Sequence, residues 1–223
     1  MAKHRIFLAA PPGTPRADFR ARMLAEVAPP LADGLGALSV DLVDATPAVP
    51  PWQRPGEPVA PAEPAFDVVF DLWGAPEALD VALARLEAGI AGVPRASVRV
   101  AEIIEKDDLP RPVGVAPGVK FLALMQFCED LPPTTARRLW THHAPLALRV
   151  HVGMARYVRD WVEAAVPGPS AGFQGIAELH FPSVEAMTNR WFDSEAGRQA
   201  IIHDVGHFLA RATRLYTTEH VLK

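Results

Sequence analysis

The sequence predicts an α+β fold in which two ferredoxin-like βαββαβ repeats pack their antiparallel sheets as one pseudo-dimeric α/β-barrel. Three observations carry this. The order strand–helix–strand–strand–helix–strand runs twice along the 223 residues. Short stretches of the two halves match one another in the same order. Each half also leaves one apolar sheet face uncovered by its own helices, a surface that costs about 25 cal/mol per Å² in water.

The first repeat opens with "HRIFLAA" (4–10), a short β-like run. Residues 14–34 follow a Thr-Pro start with Phe19, Met23, Leu24 and Val27 at helical spacing. "ALSVDLVDA" (37–45) and "AFDVVFDLW" (65–73) alternate as strands do, the latter with Phe66, Val68, Phe70 and Leu72 on one face. "PEALDVALARLEAGIAG" (76–92) is an amphipathic helix ending at Gly92, and "RASVRVAEIIEK" (95–106) closes the repeat as a strand. The second repeat has strands at 118–127, 154–162, 172–181 and 213–223. Its helices are at 133–150 and 183–211, the latter broken near Asp193-Ser194.

Local matches support a duplication. Val27-Ala28-Pro29 overlays His143-Ala144-Pro145, "GAPEAL" (74–79) overlays "PSVEAM" (182–187), and "AEIIEK" (101–106) overlays "TEHVLK" (218–223), pairing Glu102 with Glu219. The expected organisation is a first repeat at 1–106, a linker at 107–117 and a second repeat at 118–223. Fusion supplies each sheet with its partner; the alternative is that each half pairs with another chain. The proline-rich stretch 45–65 excludes helix and central strand, so it reads as a surface insertion in the first repeat. Within it, Trp52 reads as a loop anchor or a recognition residue.

Composition narrows the class. The net charge is −4 and 49% of residues are hydrophobic, with no basic stripe, so nucleic acid is not an expected partner. No segment approaches the ~18 apolar residues of a membrane span. The single cysteine, Cys128, forms no internal disulfide and suits a reducing cytoplasm, the expected location. Nothing excludes a homodimer of the two-repeat chain.

Chemistry concentrates in the second repeat. Of eight histidines, all but His4 fall between 142 and 220. His143 shares a helix face with Leu139 and Leu146, which turns it toward the sheet; a half-buried imidazole there is a proton donor or acceptor near neutral pH, or a helix-end residue bonded to a carbonyl. Glu178 and His180, two apart on a strand, share one face. They line either the space between the repeats or a cluster with His143. His203 and His207 have a spacing able to chelate a metal, but Gly206 interrupts the helix and no third ligand is evident, so no metal is expected. His220 reaches the site from the last strand or lies on the sheet surface.

The second half resembles the EthD family of dimeric α/β-barrel proteins. "THHAPLALR" (141–149), "ARYVRD" (155–160), "GIAELHFPSVEAM" (175–187), "DVGHF" (204–208) and "TTEHVL" (217–222) carry the resemblance. There are departures from the family pattern: Trp140 lies three residues before His143 instead of four, Thr135 replaces an aromatic, and His180 replaces a tryptophan. The resemblance implies an enzyme needing no cofactor, moving protons on a small aromatic or polyketide-like carbonyl compound in an apolar pocket. His143 would be the acid or base, with Tyr157, Glu178 and His180 beside it and Trp140, Leu139, Leu146 and His220 contacting the ligand. A non-catalytic binding protein is the alternative, and a cofactorless or haem-dependent monooxygenase a lesser one.

Overall fold

The computed structural model describes residues 1–44, 64–165 and 172–223. Trp52 and nearly all of the proline-rich insertion lie outside the described residues, as do residues 166–171. The first repeat consists of β1 (Ala2–Leu8), α1 (Arg16–Arg22), β2 (Ala37–Asp44), β3 (Val68–Gly74), α2 (Pro76–Gly89) and β4 (Arg95–Asp107). A two-residue strand β5 (Gly114–Val115) leads into the second: β6 (Val119–Phe127), α3 (Pro133–Val150), β7 (Arg156–Ala165), β8 (Gly175–Phe181), α4 (Val184–Asn189), α5 (Glu195–Val205) and β9 (Leu209–Val221). Among the described residues no helix is long and apolar enough to cross a membrane.

Two expected helices differ in detail. The helix expected at 14–34 is a short α-helix that loosens into a π-turn at Met23–Val27 and tightens into a 3-10 turn at Pro29–Leu31. The Pro29 ring would collide with the Ala25 carbonyl in a regular helix, and the Ala28 N–H reaches back five residues to the Met23 carbonyl instead. The run 183–211 divides into α4 and α5, capped by Ser183 and Ser194, whose hydroxyls accept from the Ala186 and Gly197 N–H groups at 3.0 Å. Residues from Leu209 onward are strand, because α5 stops at Gly206 and the chain pairs with β6.

All strand pairs are antiparallel, in the order β2-β3-β1-β4-β7-β8-β6-β9, with a further β2–β9 pairing that closes the barrel. The last strand of each repeat thus bonds to the second strand of the other, through β4–β7 and β2–β9. Closure pairs the open edges that separate sheets would expose.

Alternation along the strands sends one set of side chains inward and the other under the helices. One end of the interior is apolar, with Phe7, Val69, Val98, Leu122, Leu124 and Ile176 buried together. The other end is ionic and repeats with the duplication. Lys3 meets Asp160 at 2.9 Å and Glu102 at 2.7 Å; Lys120 meets Asp41 at 2.9 Å and Glu219 at 3.1 Å. The overlay of Glu102 on Glu219 read from the sequence corresponds to these matching positions. Lys3–Asp160 and Lys120–Asp41 join one repeat to the other, as does Arg5, which pairs with Asp71 of its own repeat at 2.6 Å and with Asp160 at 2.7 Å.

Candidate functional site

The outer face of the second sheet is built from rows of side chains set by strand register. Arg214, Ala123, Ala177 and Arg159 form one row across β9, β6, β8 and β7. Tyr216, Phe121, Leu179 and Tyr157 form the row beside it, and Ala212, Met125, Gly175 and Trp161 the row on the other side. Two alanines and a glycine at the centre leave a hollow beneath the helices. A Cβ on Gly175 would stand 2.7 Å from the Trp140 ring, so a side chain there would displace the indole from the sheet.

α3 and α5 cover this hollow. Although Pro145 removes one backbone bond, α3 runs through it to Val150, because Ala144, Ala147 and Val150 are buried beyond it. The cavity has a volume of about 130 Å³, with Phe121, Trp140, Leu179, Trp191, Ile201 and Phe208 among its apolar walls. A cavity of ~150 Å³ lined by apolar side chains holds a benzene ring.

His143 lines the cavity and is 6% exposed. Its Nδ1 lies 2.7 Å from the Asp204 carboxylate on α5. In the neutral ring this nitrogen carries the proton and donates it to the carboxylate, which leaves Nε2 with the basic lone pair. Burial pushes the His143 pKa below its ordinary value against the opposing pull of Asp204. The ring is therefore an unprotonated base at neutral pH, held in one tautomer.

Tyr157, also in the lining, is 2% exposed, and burial raises its pKa. Trp140 stands edge-on to Trp161 with ring centres 4.4 Å apart. His151, which the sequence reading did not single out, also lines the cavity. Its Nδ1 donates to the Trp191 carbonyl at 2.7 Å, and burial lowers its pKa to about 4. Asp204 was equally unmarked, since it was read only as the residue between His203 and His207.

The remaining expected site residues lie elsewhere. Glu178 and His180 point into the barrel, on the opposite face of the sheet from His143. Glu178 accepts from Arg156 at 2.6 Å and is bonded to His180 at 2.7 Å. Burial works against its charge, but Lys120, Lys3 and Arg5 overcome this and hold its carboxyl well below the usual range. The expected group of four is therefore two pairs in separate compartments: His143 with Tyr157, and Glu178 with His180. Leu139 and Leu146 are half-buried against the core but do not line the cavity. His220 is half-buried opposite Val40 in the β2–β9 register, on the first-repeat side. His203 and His207 are exposed with their Nε2 atoms 3.4 Å apart. Among the described residues no cluster of three or more histidine, cysteine or acidic side chains is arranged for a metal ion.

Residues 129–212, which include α3, β7, β8, α4 and α5 but not β6, match the EthD domain family. No curated protein matches the sequence. Several solved structures share the fold, and three illustrate it. An anthrone oxidase-like protein is 11% identical, covering 99% of this chain and 92% of its own, with a TM-score of 0.58. A candidate monooxygenase from Fusobacterium nucleatum is 10% identical, covering 100% and 92%, with a TM-score of 0.55. A mutant chlorite dismutase from Candidatus Nitrospira defluvii is 10% identical, covering 99% and 92%, with a TM-score of 0.50. By sequence over residues 129–212 and by fold along its length, the chain is thus similar to EthD domains within the dimeric α/β-barrel architecture.

Proposed function

We propose that the second repeat binds a small aromatic carbonyl compound beneath α3 and that His143 moves a proton on it. The observation that carries this reading is the His143–Asp204 pair at 2.7 Å on the wall of an otherwise mostly apolar cavity. A neutral imidazole with a carboxylate on its far nitrogen removes a proton and stabilises the imidazolium that results, as a general base requires. The ring of the ligand packs against the apolar side chains of Trp140, Trp191 and Phe208 beside the base.

Deprotonation of a carbon next to a carbonyl begins cyclisation, isomerisation and cofactor-free oxygenation alike. The names of the structural neighbours, an anthrone oxidase-like protein and a candidate monooxygenase, make an oxidative outcome worth testing. A haem does not fit within this cavity, whose volume of about 130 Å³ lies below the ~300–1,000 Å³ of pockets for drug-sized ligands.

Deuterium exchange at the acidic carbon of single-ring aromatic ketones such as acetophenone, followed by NMR in deuterated water, tests the proposal. Wild-type protein should accelerate exchange, and His143→Ala should abolish the acceleration with the melting temperature retained. Exchange that is unchanged in His143→Ala removes the assignment. A second reading, binding without turnover, is favoured by the mostly apolar lining of the cavity; tryptophan quenching by the ketones with no exchange would select it.

A further inference from the structure

A second cavity, of about 490 Å³, lies beside the first turn of α3, with Phe127, Leu131, Pro133, Ala136 and Trp161 among its walls. Among the described residues it shares no lining side chain with the His143 cavity. An aromatic partition stands between the two. Trp140 and Phe208 line the first cavity, and Phe127 and Trp161 line the second. The Phe127 ring lies 5.9 Å from Trp140 and 6.2 Å from Phe208, and Trp140 lies 4.4 Å from Trp161. The second cavity falls within the ~300–1,000 Å³ of pockets that hold drug-sized ligands, whereas the first suits a single ring.

Trp161 carries a group that the fold leaves unused. It is 6% exposed, and among the described residues its buried Nε1 has no hydrogen-bond partner. A buried indole N–H normally finds an acceptor, and one left alone is destabilising. The ring itself is well supported, with Trp140 edge-on to it, Phe127 5.5 Å away and the Arg137 guanidinium over its face at 5.2 Å. The duplication shows that packing does not require the N–H. Trp161 faces Gly175 on β8 as Leu42 faces Val68 on β3 in the first repeat. Leu42 packs against its core with no polar atom in the side chain. The unpaired donor thus belongs to the repeat that has a cavity beside it.

We propose that this cavity is a second binding site, for a neutral aromatic compound of two or more fused rings bearing a carbonyl or ether oxygen, and that the Trp161 N–H donates to that oxygen. The ligand rings pack against Phe127, Leu131 and Pro133, and the oxygen supplies the acceptor that Trp161 lacks. The charged side chains of the lining, Glu129, Arg137 and Glu163, are exposed and of both signs, so the walls single out neither an anion nor a cation. The site is separate from the His143 cavity and does not depend on the chemistry proposed there.

The test compares 2-acetonaphthone with 2-isopropenylnaphthalene, which has the same shape but no oxygen, by equilibrium dialysis against the full-length protein. Wild type should bind both. Trp161→Phe, which keeps a ring but removes the N–H, should weaken the ketone about tenfold and the hydrocarbon no more than about twofold. In wild type the Trp161 indole N–H resonance, assigned by its loss in Trp161→Phe, should move further downfield with the ketone than with the hydrocarbon. Thr134→Trp, which fills the second cavity, should remove both ligands, and Ala177→Phe, which fills the first, should leave both affinities unchanged. No binding in wild type, or an equal loss of both ligands in Trp161→Phe, overturns the inference. Binding that survives Thr134→Trp but is lost in Ala177→Phe places the naphthalenes beside His143; the second site then falls, and the reading of the first cavity stands.

Discussion

The two repeats share a skeleton and an ionic interior but differ in the layer beneath their helices. In the first, Ile6, Phe70, Leu38 and Leu72 fill the sheet face and are at most 1% exposed, and Val27 packs below α1. In the second, Ala123 and Ala177 stand where Ile6 and Phe70 do, His143 stands at the place of Val27, and a cavity results. The inner charges could not change in one repeat alone, because Lys3 and Lys120 find acids across the barrel and a lost partner leaves a buried ion. The helix-side layers do not touch, so each can change without the other. One layer is filled and the other leaves a cavity.

This contrast can be broken most severely at its chemical end. His143→Ala should lower catalysed proton exchange by about 10²–10⁴-fold. Val27→Ala, at the matching place, should leave exchange alone and reduce stability by about 1–3 kcal/mol. A similar loss of exchange in both would show that the repeats are not divided in this way.

The filled and hollow floors give the next effect. Phe70→Ala should destabilise by about 3–5 kcal/mol in denaturant unfolding, since it opens a void in a packed layer. Ala177→Phe, which gives the second repeat the residue of the first, should cost no more than the ~1–3 kcal/mol of an overpacked core while eliminating ligand binding. Comparable costs would mean that the second floor is packed after all.

The shared interior predicts a pH dependence of stability. Burial, together with Glu219 and Asp71, raises the Asp41 pKa to about 7 against the pull of Lys120 and Arg5. A carboxyl raised in this way contributes stability below the ordinary carboxylate range and loses it as pH rises through about 7. Asp71, Glu178 and Glu219 are shifted down, so their contribution is lost on the acid side. The melting temperature should therefore fall as pH rises from about 4 to about 7 in wild type, level off above that, and stay flatter in Asp41→Asn.

The smallest effect is at Asp204. Its charge raises the His143 pKa, so Asp204→Asn should move the acid limb of the exchange profile to lower pH, with the basic form retained at neutral pH. A limb that stays in place would separate His143 from the profile.

Strand alternation and helical spacing were readable because they are local. The spacing placed α3 at 133–150, where it is found, and the overlay of Glu102 on Glu219 pointed to matching interior positions. Parity joined Glu178 to His180 but could not choose their side, since both faces of β8 are buried. Asp204 had no readable signal, because it meets His143 from a helix 61 residues away. Alanine at 123 and 177 looked unremarkable until register put the two together.

Sequence alone thus determined the doubled βαββαβ order and the concentration of histidines in the second half, because hydrophobic period and residue type depend on near neighbours. The tertiary structure decided which strand face meets the helices, which carboxylate meets His143, and that two small side chains leave a space. Those depend on register and closure between distant segments, which no local pattern contains.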